Sequence, residues 1–157
     1  MLVLELRGVD RALELLQRAP REVRTQLNAS VRRAVSLVKR SVQAQAPRFT
    51  GTLRRRIKMR TGTVGGVVVR GVVRAAAPHA HLVERGRRPG RMPSAADPRF
   101  ASYAQRLGVH PFVLARAIGR QGTRPHPFFD PAVRGAVPEV QRELESALRR
   151  ILEQLRR

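Results

Sequence analysis

His79, His81 and Glu84, in the segment PHAHLVERG, are the residues best spaced to hold a metal ion. A His-x-His pair with a nearby carboxylate ligates zinc or manganese when a further ligand arrives from elsewhere in the chain. His110 and His126 are the remaining histidines, and neither sits in a matching local motif. The competing reading is a loop whose histidines cap and pack against their neighbours. That reading is preferred, so neither a metal nor a cofactor is expected. The chain has no cysteine, which excludes disulfides, thiol catalysis and thiolate metal sites. No nucleophile–base pairing and no phosphate-cradling glycine loop stands out, and eleven dispersed carboxylates leave little for paired acid–base work. Enzymatic activity is not expected.

Charge is the second chemical feature. Thirty-two Lys and Arg against eleven Asp and Glu give +21, and only Lys39 and Lys58 are lysines. Such a balance points toward polyanions, either nucleic acid or acidic protein surfaces. The arginine runs at 54–56, 85–91, 149–150 and 156–157 read as solvated faces or as neutralisers of acidic neighbouring subunits. Arg54, Arg55 and Arg56 are therefore candidate contacts to DNA or an acidic partner.

A sharper nucleic-acid reading lies in YAQRLGVHPFVLARAIG. Tyr103, Leu107, Val109, Leu114 and Ala117 have helix-turn-helix spacing, with Ala104 and Gly108 at the close approach and the turn. Arg116 and Arg120 would then face phosphates. A small basic helix-turn-helix DNA-binding protein is thus the alternative function. Aromatic residues make up only 4%, too few for the stacking platform of a single-strand binder.

These residues must be positioned by a chain of 157 residues, the length of one domain. Leu2, Leu4 and Leu6 alternate into a short strand ending at Gly8, and Asp10 caps a short helix reaching Arg18. Between Pro20 and Pro47, Val23, Leu27, Val31, Ala34 or Val35, Val38 and Val42 recur every three or four residues. They predict a helix of about 26 residues, roughly 39 Å long. Thr52 to Arg60 reads as a strand, with Leu53, Ile57 and Met59 alternating with arginines and Thr61-Gly62 as a turn. Val67 to Val73 reads as its antiparallel partner, and Gly65-Gly66 and Gly71 suggest a bulge or flexible segment. Pro78 to Pro98 reads as mostly loop. Short helices are expected over 98–107 and 111–120, then an extended connector TRPHPFFDPA. A final helix runs from about Pro131 to Leu155.

The fold class is α+β: a long N-terminal helix and a C-terminal helix packed on a small antiparallel sheet, with an inserted helical pair at about 91–122. The whole of 1–157 is read as one domain. The N-terminus is too polar for a signal peptide, and no stretch approaches a membrane span, so a soluble protein with no membrane partner is expected. In the extended connector, Phe128 and Phe129 would point to opposite sides, one into the core and one toward a neighbour. The apolar stripe of the last helix, with Leu144, Leu148, Ile151 and Leu155, is longer than a small sheet needs. It is read with the two phenylalanines as an oligomer interface.

In order and spacing, these motifs resemble the small neck or tail-completion proteins of long-tailed DNA bacteriophages, a family named for the tenth gene product of a lambda-like phage. The similarity rests on LRGVDRALELL before a long helix, on APRFTGTLRRRI, on AHLVERGRRPGRMP, on Gly122-Thr123 and on PFFDPA. His79 or Ala80 stands where an aromatic is common, and the helical pair between Arg91 and Gly122 is found in the longer members. The resemblance implies a non-enzymatic virion protein at the head–tail junction, assembled with itself into a ring, sixfold by the implied symmetry. Its neighbours would be head-completion proteins and tail-tube or tail-terminator proteins, with non-specific contact to packaged DNA. Independently of the family, Thr50, Gly51 and Leu53 read as a hinge in which Gly51 takes a positive φ.

Overall fold

The structure is a computed structural model, which describes residues 3–4, 19–48, 51–64 and 67–155. The capped helix expected from Asp10 to Arg18, the Gly65-Gly66 pair and Thr50 lie outside the described residues. The elements in order are β1 (Val3–Leu4), α1 (Arg21–Gln45), α2 (Thr52–Arg55), β2 (Ile57–Val64) and β3 (Val67–Ala75). Then come α3 (Ala80–Arg85), α4 (Pro98–Arg106), α5 (Pro111–Gln121) and α6 (Phe129–Leu155). The fold is α+β. Two compact units can be distinguished. One comprises the described residues up to Ala77 and from Phe128 onward; the other is Pro78–Pro127.

In the first unit, β3 is flanked by β1 and β2, both antiparallel to it. The inward face of the β2–β3 pair carries the buried Ile57 and Val73, and Val67 at the start of β3 is buried as well. On β3, Gly71 lies so close to Val35 of α1 that a side chain there would overlap it. The opposite flank of α1 takes α6. Ser41 Oγ donates to Ala132 O at 2.9 Å and Arg33 Nε donates to Glu143 Oε1 at 2.6 Å. Rising numbers on α1 meet falling numbers on α6, so the two helices run antiparallel. Alanines at 132, 136 and 147 are buried on one face of α6 together with Ile151, and their small size lets the helices approach closely.

Four local readings of the sequence are corrected. Thr52 to Arg55 is a single helical turn and the strand begins at Ile57. Leu53, in that turn, and Ile57, the first residue of the strand, are both buried, while Met59 is 38% exposed. Thr61-Gly62 does not turn. It pairs with Gly71 and Arg70, and the register shifts after Gly62, where Val69 of β3 is passed over, so the irregularity is a bulge in β3 two residues from Gly71. Ala80–Arg85 forms a helix inside the expected loop. The connector is not extended at its end, because α6 already opens at Phe129.

The second unit is built on two proline-started helices. Asp97 Oδ1 accepts from Arg99 N at 2.8 Å and from Phe100 N at 3.3 Å, an N-cap ahead of Pro98. His110 Nδ1 accepts from Phe112 N at 3.3 Å ahead of Pro111. Between them α4 closes with Gly108 at φ +68°, Gly108 N donating to Gln105 O and Val109 N to Ala104 O. This is the paired-bond glycine stop of helix C-termini.

Candidate functional site

The residues singled out by type and spacing mostly prove to be joints of the fold. Gly51 adopts φ +67° as the N-cap of α2, a left-handed conformation that suits a glycine. One turn on, Leu53 is buried, and Gln43 Nε2 of α1 donates to Arg54 O at 3.1 Å. Gly51 and Leu53 thus lie at a turn of helix that α1 holds through Gln43 just before β2 begins. Gly51→Val should lower stability by about 1–3 kcal/mol through backbone strain. A wild-type melting temperature for that variant would remove this role.

The Val-Glu-Arg-Gly and Gly-Thr motifs, far apart in sequence, meet in the second unit. Arg87 and Thr123 exchange both backbone bonds, at 3.0 and 2.8 Å, as an isolated antiparallel bridge. Gly86 and Gly122 precede its two members, with φ of +70° and +73°. A Cβ on Gly86 would strike Thr123 O, and one on Gly122 would strike Arg87 O. The two glycines permit this reciprocal approach. His126 N donating to Val83 O and Gly90 N donating to Gly119 O, both at 2.8 Å, extend the clasp.

His79 caps α3 with its carbonyl, which accepts from Leu82 N and Val83 N at 3.1 Å. His81 is exposed. Among the described residues, no three His, Asp or Glu side chains gather as a metal site. Nor, among them, is any helix long and apolar enough to cross a membrane.

The helical pair forms where expected; Val109 and Leu114 are half-buried, but three other positions that a helix-turn-helix would bury are open. Tyr103 is 39% and Leu107 44% exposed, and Ala117 is exposed as well. Ala104 and Ala115 are the buried residues of α4 and α5. Arg116 and Arg120 are exposed on α5.

A groove of about 510 Å³ runs between α1 and α6, lined by Thr25, Gln26, Ala29, Ser30, Arg33 and Ala147 together with Arg150, Glu153 and Gln154. Ser30, only 1% exposed, donates to Gln26 O and accepts from Arg33 Nη2 at 2.7 Å. Arg33 then pairs with Glu143, which lies 4.0 Å from Arg150 Nη2. Within this chain of contacts, Arg33–Glu143 is the one that crosses from α1 to α6. It presents no reactive group. Sequence reading missed Ser30 because an apolar-periodicity search passes over a polar residue on the buried face.

Of the expected interface residues, Phe128 is 1% exposed and belongs to the core, while Phe129 is half-buried. Their rings meet edge to face at 6.3 Å rather than diverging. Ile151, at 6% exposure, lies on the alanine face of α6 and is not open to a neighbour. Leu144 is half-buried, Leu148 is 53% exposed, and the side chain of Leu155 lies outside the described ones. Leu152 at 54% and Val137 at 41% join Leu148 on the open flank of the helix. Of the candidate arginines at 54–56, Arg54 is half-buried and Arg55 and Arg56 are exposed.

Caps and a clasp in the second unit and a helical seam in the first are what the singled-out residues build within an α+β fold. Residues 10–86 match the model of a family described as "Bacteriophage HK97-gp10, putative tail-component", so over that segment the chain is similar to the members of that family. The matched span takes in Thr-Gly-Thr-Leu and Val-Glu-Arg-Gly; the Gly-Thr and Pro-Phe-Phe motifs follow it. No curated protein and no solved structure matches the chain.

Proposed function

We propose that this protein is a non-enzymatic structural component of a bacteriophage virion, a subunit of a ring at the junction of head and tail. The observation that carries the reading is the placement of the motif residues. Gly51 turns the chain into the sheet, Gly86 and Gly122 hold the clasp, and Phe128 fills the core. Residues so used specify a shape to be repeated, and the family match over residues 10–86 supplies the phage context. In this reading 1–157 acts as one tail-component domain, with the α4–α5 pair as an elaboration of it. Its partners are further copies of itself, in a sixfold ring, and the head-completion and tail-tube or tail-terminator proteins on either side.

The ring interface is assigned to the open flank of α6, where Val137, Leu148 and Leu152 lie exposed beside the half-buried Leu144. Contiguous exposed apolar residues on one helix usually mark an association surface. Sedimentation velocity on the purified chain tests it, with electron microscopy to count subunits in the ring. Leu148→Asp and Leu152→Asp should each keep the melting temperature close to wild type and sediment as monomer. If the folded variants sediment with the wild-type oligomer, the interface lies elsewhere.

A further inference from the structure

The outward face of the β2–β3 pair is a compact array of cations. Lys58, Arg60, Arg70 and Arg74 are all exposed. Register and alternation place them together: Lys58 stands opposite Arg74, Arg60 opposite Val72 and Arg70 opposite Gly62. The other face of the same pair carries Ile57, Val73 and Gly71, against α1. Directly opposed residues on a strand pair have Cβ atoms about 4.5–5.5 Å apart, and like charges there destabilise the sheet. None of the four cations makes an ion pair with a carboxylate among the described residues. Among the described residues, the strands thus hold an unfavourable arrangement with no carboxylate to offset it.

We propose that this sheet face binds the phosphate backbone of duplex DNA without regard to sequence. Residues two apart on a strand are separated by about 6.7 Å, close to the step between successive phosphates along one DNA strand. Arg and Lys are the side chains that contact phosphate, the first through its planar fork and the second as a point charge. An acidic protein partner fits less well. Protein interfaces centre on aromatic and apolar anchors with charge depleted from the middle, and here the centre is Arg60 beside a half-buried Val72. The proposal does not depend on ring formation and is tested separately from it.

The full chain is titrated into a fluorescently labelled random-sequence duplex, and anisotropy is read across a series of salt concentrations. Each neutralised phosphate contributes about 0.9 to the slope of log affinity against log salt, so Lys58→Gln/Arg74→Gln should lower that slope by about 1.8. Arg116→Gln/Arg120→Gln on α5 removes the same charge and should leave the slope at its wild-type value. Lys58→Glu creates an opposite-charge pair with Arg74. It should weaken DNA binding while holding or raising the melting temperature. Equal slope changes in the two double variants would overturn the proposal in favour of bulk charge. Displacement of the duplex by polyglutamate as readily as by unlabelled DNA would overturn it in favour of an acidic protein.

Discussion

Gly71→Ala should destabilise the protein by about 1–3 kcal/mol, although it adds a single methyl group to a strand. A Cβ built at Gly71 overlaps Val35 Cγ2 and touches Val35 Cβ at 3.4 Å and Cγ1 at 3.5 Å. Flexible side chains give way to such an intrusion, but Val35 cannot readily do so. It lies in the middle of α1, where a β-branched residue is held in one strongly preferred rotamer. The helix or the strand must therefore shift as a body, loosening the contacts around the buried Ile57 and Val73. Because the clash is with one side chain, it should be relieved by trimming that side chain. The double variant Gly71→Ala/Val35→Ala should be at least as stable as Val35→Ala alone, a coupling that chemical denaturation reads directly. Additive losses would mean that Gly71 matters for a reason other than the approach of α1.

Phe128→Ala should have the larger effect, costing about 3–5 kcal/mol, as truncation of a buried aromatic leaves a cavity. Phe128 is the largest fully buried side chain among the described residues, and it stands at the point where the chain returns to start α6. Total stabilities of about 5–15 kcal/mol leave little margin after such a loss. Phe129→Ala, at a half-buried position, should cost about 1 kcal/mol. Equal losses in the two variants, measured by thermal or urea unfolding, would contradict this division between core and surface.

The long elements were legible because period and punctuation agree. Pro20 and Pro47 bracket α1, and Pro98 and Pro111 open α4 and α5 at the first helical position. The short elements were not. Leu53 and Ile57 share the spacing of one strand, though the first lies in a single helical turn and the second opens β2, and AHLVER is a helix too brief to outweigh the proline and glycine around it. Gly51 was readable from its setting, since Thr-Gly-Thr-Leu follows a helix stop. The clasp was not, because Gly86 and Gly122 become partners only through a contact 36 positions apart. On α6 the apolar period was clear, but period alone does not say which flank a neighbouring helix takes. Ile151 therefore went to the seam with α1 while Leu148 and Leu152 stayed open. The cationic sheet face escaped notice for a similar reason, since Lys58 and Arg74 are opposed only once the register is known.

The Gly86–Gly122 clasp makes the protein modular. The Arg87–Thr123 bridge closes the intervening segment with its own backbone bonds, and α4 and α5 lie within that closed segment. Loop-closure entropy rises slowly, by about 0.6 kcal/mol for each doubling of length, so the bridge tolerates a wide range of lengths between its ends. Residues 91–118 are thus the place where such a chain can lengthen, shorten or exchange its cargo of helices. A peptide tag, a fluorophore-binding motif or a foreign binding loop grafted there would be carried on a stem that closes itself.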